Sequence, residues 1–320
     1  MSWTEGVALE ARSARRKHRG VCIVRVPRAT KWTMSIFLLS LVAAAQAVPA
    51  TPGAAPLPSD PIATDWRVIP DDQVMIVTLT GNRTVVIRLA PDYAPRHVAN
   101  VRRLVAAKWW DGESVYRVQE GWVAQWGDAS EKKALPADVV KVPAAEYDIA
   151  RFAPAQKIAR ADAYSTASGI TADGWPIATD GQAAWMTHCY GTIGVARDSS
   201  PDTGSGSELF TPIGQAARRL DRNYTIVGRV IEGMKWLSAL ARSDAPLGVY
   251  ATPGERTGIV SVRLASDLPP AERPHFEYRA ADNVRYAAMI DLRLHPKGLT
   301  PLGGIDVCDV ALPVRRVGTK

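Results

Sequence analysis

Between residues 74 and 264 the chain shows short strand-like runs of four to six residues, rich in Val and Ile and bounded by turn residues, and only two stretches carry helical spacing. A sheet of strands this short leaves long edges of unpaired backbone unless it closes on itself. Residues 74–79 and 84–89 flank Gly81-Asn82-Arg83, and in the second run Val85, Ile87 and Leu89 alternate with Arg88, which is the pattern of a hairpin. Ala94-Pro95 then opens a helix with Pro in its first turn, Val98, Val101, Leu104 and Val105 on one face and Arg96, Asn100 and Arg103 on the other. Strands are expected at 115–118, 122–125, 193–196, 225–230 and 259–264, with a second helix over 232–242, where Met234, Leu237 and Leu240 recur near helical spacing. The fold class expected is therefore mainly β: an antiparallel barrel with a helix at each end.

Two segments do not join that pattern. Residues 129–187 show no sustained period and are expected as a long inserted loop, a length rarely without purpose in a compact domain. Pro269-Pro270 marks a boundary, after which 271–320 form a C-terminal extension with a strand-like run at 305–310. The barrel domain itself is expected over 66–270.

Charge excludes one class of partner. The formal net charge is +7, yet residues 1–33 hold eight Lys/Arg against Glu5 and Glu10, and residues 48–320 balance 31 basic against 30 acidic groups. A near-neutral body gives no electrostatic footprint for nucleic acid. The basic segment is followed by twelve uncharged residues, 34–45, and then by Ala45-Gln46-Ala47, a small-x-small cleavage pattern. Residues 1–47 are expected as leader and signal peptide, with cleavage after Ala47 and delivery to the periplasm. Left uncleaved, the segment would be the chain's one membrane attachment. Residues 48–65, rich in Pro and Ala at their start, are expected as a flexible linker. Export would leave Cys189 and Cys308, either as one disulfide or as two buried thiols.

The usual catalytic constellations are missing from the sequence. His18, His97, His188, His275 and His295 have no metal-ligand spacing, and no G-x-S-x-G elbow occurs. His188 and Cys189 are adjacent, so on an extended segment they point to opposite faces and form no dyad. Gly204-Ser205-Gly206 lacks the third glycine of a phosphate loop.

Three blocks do carry a signature. Residues 115–128 read V-Y-R-V-Q-E-G-W-V-A-Q-W-G-D; V-A-R-D-S-S-P at 195–201 is followed by S-E-L-F at 207–210; and R-L-D-R-N-Y-T-I-V-G spans 219–228. In content and order these resemble the cyclophilin family of peptidyl-prolyl isomerases, whose corresponding blocks run F-H-R-x-x-x-G-F-M-x-Q-G-G-D, M-A-x-x-x-P with S-Q-F-F, and W-L-D-x-x-(H/Y)-x-V-F-G. The likeness extends over about 74–264, closest to the exported, insertion-bearing bacterial branch. It implies a barrel closed by two helices, and proline-containing polypeptide segments as substrate, with no cofactor or metal. It implies roles for nine residues: Arg117 as the catalytic cation, Gln125 as the polar group orienting it, Trp122, Val123, Phe210 and Leu220 as the proline pocket, Tyr224 at the pocket edge, Arg197 as a position whose backbone grips the peptide, and Glu208 beside them.

Four departures stand out. Glu208 replaces Gln, placing a carboxylate near Arg117, either to pair with it or to recruit basic substrates. Val123 replaces Met, Trp126 replaces Gly, and Arg219 replaces the Trp associated with cyclosporin binding, which implies poor affinity for that drug. These changes, with the long insertion, leave open a second reading: a binding or chaperone module of the same fold with little isomerase activity.

Overall fold

The computed structural model describes residues 58–318 apart from 159, 301 and 302; the leader, the cleavage site after Ala47 and the first part of the linker fall outside the described residues. In chain order the strands are β1 (Trp66–Val68), β2 (Val74–Leu79), β3 (Arg83–Leu89), β4 (Ser114–Val118), β5 (Val123–Gly127), β6 (Gln156–Ile158), β7 (Ala167–Ile170), β8 (Pro176–Thr179), β9 (Ala184–Met186), β10 (Thr192–Val195), β11 (Leu209–Pro212), β12 (Ile226–Glu232), β13 (Thr257–Leu264), β14 (His275–Arg279) and β15 (Val314–Val317). The helices are α1 (Pro95–Ala106), α2 (Met234–Ser238) and α3 (Val284–Leu294).

Eight strands close a barrel in the order β10-β11-β5-β4-β13-β2-β3-β12, every pair antiparallel, so no barrel strand is left with a free edge. Its interior holds Val77, Leu79, Val85, Ile87, Leu89, Val115, Trp126, Ile193, Val195, Leu209, Val227 and Ile259. Trp126, the residue in place of a family glycine, is thus core filling.

Helix α1 buries Val98, Val101, Leu104 and Val105, as its spacing predicts. Asn100, read as part of the polar face, is instead fully buried. Its amide donates to the carbonyls of Val140 and Ser205 and accepts from the N–H of Val140, tying the insertion to the helix. The N-cap residue Ala94 has no side-chain acceptor to offer, and Glu146 of the insertion takes the N–H groups of Arg96 and His97. The second helix is shorter than the expected 232–242. It stops at Ser238, and the Arg242 guanidinium wraps back onto the carbonyls of Ser238 and Leu240.

The insertion is not a loop. It contains a four-stranded antiparallel meander, β6-β7-β8-β9. Its strands are three or four residues long; β7, β8 and β9 are buried almost throughout, while β6 exposes Lys157. Trp175, Ile177 and Met186 pack on Ala90 and Ile226 of the barrel, while Ile158 and Ile170 pack on Tyr286 and Ile290 of α3. With both faces of β7–β9 covered, no alternation of apolar and polar residues is required there.

The extension differs from expectation as well. Residues 305–310 form no strand. Val307–Asp309 is a 3-10 turn, held by Asp306, whose carboxylate accepts the N–H of Cys308 at 2.8 Å. The strand lies further on, at β15, in a three-stranded sheet β1-β14-β15. Helix α3 carries the N-cap signal Asn283, which accepts the N–H of Tyr286 at 3.0 Å. Structure also begins earlier than Trp66: Ala63–Asp65 is a turn, and the buried carboxylate of Asp65 is gripped by Arg285. Cys189 and Cys308 are joined as a disulfide, which fixes the extension to the segment preceding β10.

Candidate active site

The barrel register places the key positions in one row. Arg117 on β4 is opposite Gln125 on β5, Gln125 is opposite Phe210 on β11, and Phe210 is opposite Gly194 on β10. Residues directly opposite in an antiparallel sheet project on the same side. A cation, an amide and an aromatic ring therefore stand side by side. Gly194 completes the row because any side chain there would strike the Phe210 ring.

Arg117 is half-buried, and burial pushes its pKa down. Its Nη1 donates to Gln125 Oε1 at 3.0 Å, Nη2 to Gln119 Oε1 at 2.7 Å, and Nε to the carbonyl of Leu247 at 2.7 Å. All three acceptors are neutral, and among the described residues no carboxylate pairs with it. A guanidinium has five N–H donors, so two remain for a ligand.

Glu208 does not pair with Arg117. Its carboxylate lies against Gly127, accepting the Tyr116 hydroxyl at 2.8 Å and the Asp128 N–H at 2.7 Å. Burial raises its pKa to about 7, with the charges of Asp128 and Glu131 adding to the effect and the two hydrogen bonds opposing it. The Tyr116 hydroxyl in turn accepts from Gln125 Nε2. Alternation along β4 would send Tyr116 and Arg117 to opposite faces. A register shift between Val115 and Arg117 brings both to Gln125.

The apolar side of the site is a cluster of Val123, Phe210 and Leu220, buried, with Trp122, Ala196 and Tyr224 partly exposed around them. Phe210 meets Tyr224 edge to face, centroids 5.4 Å apart. His188 stacks behind Phe210 at 6.1 Å, and burial pushes its pKa down. Leu220 is positioned by Arg218, which bonds Asp221 at 2.7 Å, Asp162 at 2.8 Å and Asp306 at 3.2 Å, joining barrel, insertion and extension behind the pocket. Arg197 folds its guanidinium over Tyr224 at 5.0 Å. Among the described residues its backbone N–H and C=O have no hydrogen-bond partner. Arg219 is exposed, 5.9 Å from the Trp122 ring.

Beside this cluster is an open cleft of 670 Å³ whose walls include Tyr116, Gln125, Ala196, Arg197 and Glu208. Asp128 and the first part of the insertion, from Glu131 to Lys141, build one wall of the cleft and do not fill it. All nine residues named from the sequence thus lie in or around one surface. Tyr116, Gln119 and the Leu247 carbonyl were not foreseen, because a strand break and a loop contact carry no sequence period.

The arrangement offers an apolar cluster and, beside it, a cation with free donors. Residues 74–264 match the family model described as cyclophilin type peptidyl-prolyl cis-trans isomerase/CLD. A probable peptidyl-prolyl cis-trans isomerase of Brucella suis is 27% identical over 234 residues, covering 72% of this chain and 98% of the relative. The corresponding protein of Brucella abortus is 26% identical over the same length. Among solved structures, cyclophilin AquaCyp293 from Hirschia baltica superposes with a TM-score of 0.63 at 25% identity, covering 80% of this chain and 94% of that one.

Proposed function

The chain belongs to the cyclophilin-type peptidyl-prolyl cis-trans isomerases, and we propose that Arg117 is the group through which it lowers the barrier to X-Pro rotation. That barrier, about 18–20 kcal/mol, is amide resonance. Half-way through rotation the imide nitrogen regains its lone pair and becomes a hydrogen-bond acceptor, which it is not in either planar form. A donor aimed at that nitrogen favours the twisted state over both ground states, the condition for catalysis. Arg117 supplies the donor, Gln125 and Gln119 hold its plane, and the pyrrolidine ring seats over Phe210 among Trp122, Val123, Leu220 and Tyr224. The free backbone groups of Arg197 take the peptide on the adjoining side.

The observation that carries this reading is the guanidinium's pairing: three neutral acceptors, two spare N–H groups and, among the described residues, no carboxylate. Its charge is undiminished at the edge of an apolar cluster. The test is Arg117→Ala in a proline-peptide isomerisation assay. Turnover is expected to fall about a hundredfold or more at an unchanged melting temperature; full activity in that variant overturns the assignment.

We further propose that the enzyme acts on exported proteins in the periplasm. The basic and apolar run before Ala47 and the Cys189–Cys308 disulfide support this reading. Cell fractionation, with N-terminal sequencing of the mature protein, tests it; an intact N-terminus in the cytoplasm counts against it.

A further inference from the structure

Behind Arg117 runs an unbroken line of hydrogen bonds that ends on a titratable group. Arg117 Nη1 donates to Gln125 Oε1, Gln125 Nε2 donates to the Tyr116 hydroxyl, and the Tyr116 hydroxyl donates to Glu208 Oε2. Glu208 Oε1 accepts the N–H of Asp128. We propose that Glu208 is a positioning residue for Arg117, acting through Tyr116 and Gln125: its charged form fixes the amide oxygen of Gln125 toward the guanidinium, and its protonated form removes that constraint. The proposal rests on the reading of Arg117 given above.

Donor and acceptor roles decide the argument. A carboxylate only accepts, so the Tyr116 hydroxyl must spend its single proton on Oε2. Its oxygen can then only accept from Gln125, and only the NH₂ end of the amide can donate. The amide is therefore locked with its oxygen on Arg117. The Asp128 N–H keeps Oε1 an acceptor, so a proton taken up from water goes to Oε2, facing Tyr116. The acid then donates to the tyrosine oxygen, and the tyrosine proton is free to turn toward Gln125. An amide flipped to accept it would point its NH₂ at the Arg117 donors, where nothing can bond. One end of the guanidinium plane loses its hold.

The surroundings bring this titration to the working range. Asp128 and Glu131 face Glu208 from the segment after β5, Tyr116 faces it from β4, and Lys133, Lys141, Arg197, Asp198 and Asp202 line the same cleft. Burial with Asp128 and Glu131 raises the Glu208 pKa to about 7, while Asp128, held down to about 2, and Tyr116, pushed up by its own burial, keep their charge states throughout.

The test is the pH profile of kcat/KM for the full chain on a proline peptide without ionisable side chains. Wild type is expected to rise about fivefold through pH 7. Glu208→Gln, which keeps the shape and donates permanently to Tyr116, is expected to give a flat profile at the level of the wild-type acid limb. Tyr116→Phe, which cuts the line while keeping the ring, is expected to be flat as well. A purely structural role for Glu208 would shift stability and leave the slope. A flat wild-type profile overturns the proposal. So does a slope that survives in Glu208→Gln, which would pass to the buried His188 behind Phe210. Full activity in Arg117→Ala sinks the reading of the site as a whole; loss there with an unchanged slope in Glu208→Gln sinks the Glu208 relay alone.

Discussion

Arg88 and Arg229 face one another across β3 and β12, and the indole of Trp175 lies against both guanidinium groups, 4.9 Å from the first and 5.8 Å from the second. Like charges directly opposite in a sheet repel, and both side chains are buried. Burial first, and Arg88 second, push the Arg229 pKa down to about 10. The pair is tolerated because two added layers close over it. Asp173 and Trp175 come from the insertion, Tyr278 and the Leu312 carbonyl from the extension. A stretch of barrel wall that reads as solvent-facing is in fact an internal interface.

Trp175→Ala should cost about 3–5 kcal/mol, because the cluster with Ile177 and Met186 loses its largest member and Arg88 and Arg229 lose the aromatic face they share. Urea denaturation measures the loss, and limited proteolysis should find new cleavage within 129–187. A variant as stable and as resistant as wild type would mean that the insertion is held elsewhere.

Phe210→Ala removes the floor of the apolar cluster while leaving Arg117 and Gln125 in place. Burying such a ring is worth about 1.5–3 kcal/mol, so kcat/KM should fall about ten- to hundredfold. Parallel kinetics of Arg117→Ala and Phe210→Ala check this, the first expected to act on kcat and the second with a clear rise in KM.

Stability should peak on the mildly acidic side. Glu208 has a folded pKa near 7 against an ordinary 4.5. Its contribution is complete below 4.5 and is lost as pH rises through 7, up to about 3 kcal/mol. Asp65, lowered to about 2 chiefly by Arg285, and Asp128, held near 2 against its burial by bonds from Ser130, Lys132 and Lys133, act in the opposite sense. Their contribution is present above the ordinary 3.8 and lost as pH falls toward 2. Denaturation midpoints at about pH 3, 5 and 8 should be highest at the middle value, and Glu208→Gln should flatten the alkaline arm alone.

Alkylation of the unfolded, unreduced protein should leave Cys189 and Cys308 unlabelled. The two are 119 residues apart, and replacing both with Ser should cost about 2–5 kcal/mol. Thiol labelling by mass spectrometry and a denaturation curve of the double variant check the two halves of this statement.

The barrel was legible in the sequence because its strands are short runs rich in Val and Ile set off by turn residues; alternation shows in β2 and β13, whereas β10 and β11 are buried throughout. The candidate site was legible for a different reason: Arg117, Gln125 and the pocket residues fall in short blocks of fixed spacing. Each feature that carries no sequence signal has its own physical cause. Strands β7–β9 are buried on both faces, and all four strands of the meander are too short to show a period. The 305–310 run is apolar because Val307 and Val310 are packed into a turn, and burial alone does not distinguish a turn from a strand. Asn100 lies among the polar residues of the α1 pattern, and its polarity says nothing about whether backbone carbonyls from distant segments will surround it.

By itself the amino-acid order determined the barrel, its first helix and the identity of the residues around one surface, since all of these depend on contacts whose pattern repeats within a few residues. Only the tertiary structure decided what those residues do to one another. Glu208 was free to oppose Arg117; a shift in the β4 register carried Tyr116 between them and turned the carboxylate to a hydroxyl and a backbone N–H instead. Hydrogen-bond partners 80 and 92 residues apart are chosen by distance and direction in space, and no local pattern encodes them.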